Sequence, residues 1–186
     1  MSHTILNKML KVFILFLSLF LSTQVLYGST LLQKANTYYE EGLYSKAHKL
    51  FKKSAKKGNA DAQYSLAVMY EGGIGVDKNI TQALTWYKKS AKKGNINAQY
   101  NVASLYYKGV GIKKDYEKAA YWYEKAALAG DVSAMHNIGS MFLLGEGVKM
   151  NKILAFNYLL KAAKKSHYKA QKTLDILCKE SPWACR

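Results

Sequence analysis

Apolar residues recur along this chain with two nested periods. Within short stretches they fall three or four positions apart. Ala98, Val102, Ala103 and Tyr106 mark one such face, and Ala119, Tyr123, Ala126 and Ala127 mark another. This spacing places them on one side of a 3.6-residue turn, so each stretch predicts an amphipathic helix. The stretches themselves return every 36 residues: Ala62-Gln63-Tyr64 becomes Ala98-Gln99-Tyr100, then Ala134-Met135-His136, then Ala170-Gln171-Lys172. The same step links Leu66, Val102, Ile138 and Leu174, and it links Trp86, Trp122 and Tyr158. Two helices fit within each period.

Polar and small residues punctuate the pattern at the same step. Gly73, Gly109 and Gly145, each followed two places on by Gly75, Gly111 and Gly147, end the first helix of a unit and permit a left-handed backbone there. Asn79, Asp115 and Asn151 stand where the second helix needs an N-cap. One hairpin of this kind cannot bury its own apolar face, whereas a stack of hairpins buries a continuous one. The pattern predicts an all-α repeat domain over residues 30–186. Its parts are a shorter first unit over 30–58 without the glycine loop, full repeats over 59–94, 95–130 and 131–166, and a capping helix over 167–186 that Pro182 stops.

The first 28 residues stand outside that pattern. Lys8 and Lys11 precede an apolar run from Val12 to Leu21, and Gly28 and Ser29 offer small residues for cleavage. A run this short suits a secretory signal better than a membrane span of roughly 20 apolar residues. Residues 1–28 are therefore expected to be a signal peptide, with an uncleaved N-terminal anchor as the alternative. Export places the mature chain in a bacterial periplasm or outside the cell. In such an oxidising compartment Cys178 and Cys185, the only cysteines, are expected to form a disulfide.

Charge narrows the choice of partner. Removing the leader takes two lysines and no acid from a net charge of +16, leaving +14. Arg186 is the only arginine, and lysine is a hydrated point charge rather than a two-pronged phosphate clamp. The basic character predicts a solvated surface first, then attraction to anionic envelope polymers or acidic proteins; no nucleic-acid partner is expected. Doublets at Lys52-Lys53, Lys56-Lys57, Lys88-Lys89, Lys92-Lys93 and Lys164-Lys165 are expected to gather into one basic ridge when the units stack.

The residues also carry a family pattern. Ala62, Leu66, Tyr70, Gly73, Gly75 and Val76, followed by Ala83, Trp86, Tyr87, Ala91 and Gly94, form a motif that resembles the Sel-one-like repeat family, relatives of tetratricopeptide proteins. Ala35, Tyr38, Gly42, Tyr44, Ala47 and Phe51 in the first unit resemble the spacing of a 34-residue tetratricopeptide repeat. The resemblance implies a right-handed α-solenoid that acts as a non-catalytic scaffold or adaptor for a protein or peptide. It further implies a concave face lined by first-helix residues that point away from the core. Carried over position by position, these are Tyr64, Ser65 and Val68; Tyr100, Asn101 and Ser104; His136, Asn137 and Ser140; and Lys172. An Asn101–Asn137 pair is expected to grip a peptide backbone, with Tyr64 and Tyr100 as flat, amphipathic contacts.

One exported, cysteine-rich branch of that family is associated with β-lactam binding and hydrolysis, which makes a β-lactamase-like hydrolase the alternative function. Its members carry a cysteine pair in each repeat, where this chain has a single pair. Ser-x-x-Lys occurs three times, at Ser54 to Lys57, Ser90 to Lys93 and Ser166 to Lys169, without the companion Ser-Asp-Asn and Lys-Thr-Gly elements. The histidines are scattered in sequence, the carboxylates are spread among turns and caps, and the Gly-x-Gly loops follow helices rather than strands. No catalytic residue, metal or cofactor is expected.

Overall fold

The structure is a computed structural model that describes residues 9, 11–14, 16 and 30–185. The leader expected over residues 1–28, with its boundary at Gly28, lies outside the described residues except at Met9, Lys11, Val12, Phe13, Ile14 and Phe16. Among the described residues no helix is long and apolar enough to cross a membrane.

From residue 30 onward the chain is a run of antiparallel helices. The first, α1, covers residues 30–40. It is followed by α2 (Tyr44–Lys56), α3 (Ala60–Gly72), α4 (Ile80–Lys92) and α5 (Ile96–Lys108). Then come α6 (Tyr116–Leu128), α7 (Val132–Leu144), α8 (Lys152–Ala163) and α9 (Tyr168–Glu180), with a short 3-10 turn at Pro182–Cys185. Each helix from α2 to α9 packs mainly on its neighbours in the chain, which is the contact pattern of an α-solenoid.

Local chemistry sets these lengths. Asn79, Asp115 and Asn151 accept a hydrogen bond from the backbone N–H three residues on, at 2.9 Å in each case, and so cap α4, α6 and α8. Asn59, Asn95 and Asp131 do the same for the first helices α3, α5 and α7, a set of caps that the sequence pattern alone does not single out. His167 caps α9 through Nδ1, which accepts from the N–H of Ala170 at 3.1 Å. At the far end, Gly73, Gly109 and Gly145 take left-handed backbone and close α3, α5 and α7, as expected.

The core runs the length of the array as three rows at the repeat step. Leu66, Val102, Ile138 and Leu174 form the first; Met69, Leu105, Met141 and Leu177 form the second. The third comes from the second helices: Phe51, Tyr87, Tyr123 and Leu159, all buried. Alanines between them bring paired helices close. At Gly139 the opening is filled by Leu159, which stands where the two preceding units have Tyr87 and Tyr123. Buried Gln63 and Gln99 donate from Nε2 to the carbonyls of Ala55 and Ala91, tying each unit to the end of the previous second helix. At the C-terminus Cys178 and Cys185 form a disulfide, Ala184 is buried, and Lys152 donates to buried Ser181 at 2.7 Å, so the turn is held against α8.

Candidate functional site

The first helices α1, α3, α5 and α7 share one face of the stack, and their non-core side chains frame a line of hollows. The first, of about 250 Å³, lies between α1 and α3 over Phe51. Asn36, Tyr39 and Glu40 form one wall, and Tyr64, Ser65 and Val68 form the other. A hollow of about 370 Å³ lies between α5 and α7 over Tyr123, with Ser104, Tyr107 and Lys108 facing His136, Asn137 and Ser140, and Tyr100 beside them. Between these two, Tyr64, Asn97, Tyr100, Asn101, Asp131 and Ser133 enclose about 190 Å³. Tyr64 is common to the first and middle hollows, and Tyr100 to the middle and last. Shared walls make the three one continuous groove.

The two end hollows are structural counterparts. Phe51, Tyr64, Ser65 and Val68 precede Tyr123, His136, Asn137 and Ser140 by 72 residues, two full periods. On the other wall Asn36, Tyr39 and Glu40 precede Ser104, Tyr107 and Lys108 by 68 residues, because the first unit lacks the glycine loop. This phase slip of four explains why a 36-residue step misses the α1 wall: the signal exists in the sequence, but only after the loop is discounted.

Nine of the ten expected groove positions border these hollows. Lys172 is exposed on α9, outside all three. The two asparagines are less free than expected. Tyr87 donates to the Glu71 carboxylate at 2.6 Å, and its hydroxyl also meets the Asn101 amide, which contacts Tyr64 as well. Asn137 similarly meets the hydroxyl of Tyr123, and its Oδ1 accepts from His136 Nδ1 at 3.3 Å. Each asparagine thus braces a buried tyrosine hydroxyl and offers its remaining amide capacity to a ligand.

Burial sets the protonation of this face. It is the main reason that Tyr87 is held well above the ordinary phenol range, with the neighbouring Glu71 carboxylate acting in the same direction. Tyr123 is pushed up to about 12, chiefly by burial and then by Tyr100. These hydroxyls are therefore neutral donors at any physiological pH. Tyr107 donates to Glu146 at 2.9 Å and is likewise raised, again first by burial.

The histidines are not all apart in space. His136 stacks on His167 with ring centroids 5.0 Å apart, and burial, assisted by His167 and Lys169, lowers its pKa below the ordinary value. The serines of the Ser-x-x-Lys pattern do not converge on a site. Ser54 and Ser90 are fully buried, and the Ser90 hydroxyl donates to the carbonyl of Ala60 at 2.7 Å. Ser166 sits exposed where the other second helices are followed by glycine, with φ of 61°.

The expected single basic ridge is interrupted. The doublets lie on or just past the ends of α2, α4 and α8, but the equivalent places on α6 hold Glu124-Lys125 and Leu128-Ala129, so uncharged and acidic residues break the row. Where the row does persist it is braced: Lys89 lies over the Trp86 ring at 4.1 Å, and Lys93 donates to the carbonyl of Gly58 at 2.7 Å. Among the described residues no group of three or more His, Cys, Asp or Glu is placed to hold a metal ion.

Comparison with known proteins matches this architecture. The family model for the Sel1 repeat fits four times, at residues 35–59, 60–95, 96–131 and 132–167. The chain is similar to the Sel1 repeat protein from Oxalobacter formigenes, at 32% identity and a TM-score of 0.74, over 79% of this chain and 62% of that one. It is similar to c5321, a protective antigen of uropathogenic Escherichia coli strains with an SLR fold, at 37% identity and a TM-score of 0.69, over 79% of this chain but only 32% of the antigen. Cysteine rich protein B of Helicobacter pylori is 25% identical with a TM-score of 0.52, over 68% of this chain and 96% of that one. The chain thus spans less than two thirds of the length of the first two. No curated protein matches it.

Proposed function

Because the chain belongs to the Sel1 repeat family, whose repeats generally mediate protein–protein interactions, we propose that its first-helix face binds an extended segment of a partner protein. The observation that carries this reading is the continuity of the groove. Three hollows joined by Tyr64 and Tyr100 cross α1, α3, α5 and α7, so a strand laid over them meets a new set of side chains at each helix. The chemistry fits a peptide. Tyrosine rings supply apolar area with a hydroxyl at the rim, and Asn97, Asn101 and Asn137 offer the donor and acceptor pair that a backbone amide requires. The hollows are already formed in the chain alone, so the groove needs little rearrangement on binding.

A pull-down from the native cell tests the groove directly. The protein carrying Tyr100→Ala, Asn101→Ala and Asn137→Ala together should recover at least tenfold less of its partner than the unchanged protein. Equal recovery removes this face from consideration.

We also propose that the mature chain acts outside the cytoplasm after loss of residues 1–28, a reading supported by the charge and apolar pattern of the leader and by the terminal disulfide. The intact mass of protein taken from its native cell reads both features at once. The expected mass lacks the leader and lacks two hydrogens at the cysteines. A full-length, reduced mass contradicts the assignment.

A further inference from the structure

The two end hollows have the same frame and opposite charge. Glu40 stands at the position that Lys108 occupies two repeats later, on the same wall and the same turn of its helix. Both are lined by three Phe or Tyr rings, and it is their polar linings that differ in keeping with that exchange. The Glu40 hollow is walled by three aromatic rings, Tyr39, Phe51 and Tyr64, with Tyr39 and Phe51 edge to face at 6.4 Å. Rings around a carboxylate suit a cation, since the ring faces and the carboxylate attract the same charge and the rings shelter an alkyl stem. The Lys108 hollow has rings of its own, Tyr100, Tyr107 and Tyr123, but it replaces Ser65 and Val68 with Asn137 and Ser140, whose amide N–H and hydroxyl are donors beside the ammonium group. Glu146 is occupied beside it, accepting from the hydroxyl of the lining Tyr107 at 2.9 Å.

We propose that the groove selects a peptide of mixed charge: a lysine or arginine side chain enters the aromatic hollow against Glu40, and a carboxylate lies against Lys108 two repeats away. This rests on the groove being the ligand surface, and it adds a charge order to that reading. Packed helices stand about 10 Å apart, so two repeats span about 20 Å. An extended strand advances about 3.3 Å per residue, which places the two charges about six residues apart. The middle hollow, bordered by asparagines and by Asp131, then faces the backbone between them.

Selection from a phage-displayed library of random short peptides, against the oxidised protein at low salt, tests the charge order. The chosen sequences should share a basic residue and an acidic residue about six positions apart. A synthetic peptide of that pattern should bind about fivefold more weakly to Glu40→Gln and to Lys108→Gln, read by fluorescence anisotropy. The double exchange Glu40→Lys with Lys108→Glu should prefer the charge-reversed peptide. All of these positions are exposed, and an unchanged helical circular dichroism signal shows that each variant is folded. Peptides that bind without charge preference, and whose binding is lost in Tyr100→Ala, overturn the charge order and leave the groove standing. No selected peptide, or binding indifferent to Tyr100→Ala, overturns both.

Discussion

Replacing Gly147 by alanine should cost the array about 3 kcal/mol or more and lower its melting temperature by roughly 6–12 °C. Two effects combine there. Gly147 has φ of +65°, where an L side chain is strained by about 1 kcal/mol. A methyl at this position would also run into the backbone of the preceding unit, against the carbonyl of Tyr116 and 2.6 Å from the amide nitrogen of Glu117. Backbone at a capped helix start cannot step aside as a side chain can. A close approach recurs at the repeat step, with Gly75 against the backbone and Cβ of Tyr44 and Gly111 against the Ile80 side chain, so the second glycine of each loop is where successive units touch. Gly94→Ala is the control. Its φ of +89° carries comparable strain, but a methyl there meets nothing within 4 Å, so only about 1 kcal/mol should be lost. Thermal unfolding followed by circular dichroism separates the two, and equal losses would show that inter-unit contact is not what the loop glycine supplies.

Opening the terminal disulfide should be the second large effect. Cys178 and Cys185 are seven positions apart, and closing so small a loop in the unfolded chain corresponds to about 2.5 kcal/mol. A solenoid passes that loss inward, because each unit is held mainly by its neighbours. Without the staple, the turn at Pro182–Cys185 leaves α8 and α9, and Leu177 and Ala184 lose their cover. Cys178→Ser with Cys185→Ser, or reduction of the unchanged protein, should lower the melting temperature by roughly 5–10 °C. Hydrogen exchange should accelerate first in α9 and α8. Uniform acceleration along the chain would contradict a local cap.

Most of the fold was legible because a solenoid repeats its own instructions. Leu66, Val102 and Ile138 recur in phase with Gly73, Gly109 and Gly145 and with Asn79, Asp115 and Asn151, so each element is specified three times over. The caps of the first helices were less visible, since Asn59, Asn95 and Asp131 follow a glycine and read equally well as turn residues. Within the groove, the repeat step reached residues of α3, α5 and α7 that border the hollows, but it did not single out Asn97, Tyr107, Lys108, Asp131 or Ser133 beside them. It missed Asn36, Tyr39 and Glu40, which lie four residues out of phase, and it missed the contribution of second-helix rings such as Phe51 and Tyr123 to the floor. Pair contacts across the stack were beyond it. Nothing in the spacing of His136 and His167, 31 positions apart, announces that their rings meet, nor that Tyr87 reaches Glu71. The basic ridge failed for a simple reason: the lysine doublets recur on or just past the ends of α2, α4 and α8, while the matching places on α6 hold Glu124-Lys125 and Leu128-Ala129.

A photo-crosslinking amino acid placed in the native cell at Tyr100, and separately at Lys89 on the exposed face of α4, asks where the partner lies. Adducts to a partner protein from position 100, with none from position 89, are the predicted result. Adducts from position 89 alone, or from neither, would contradict the assignment of the first-helix groove as the binding surface.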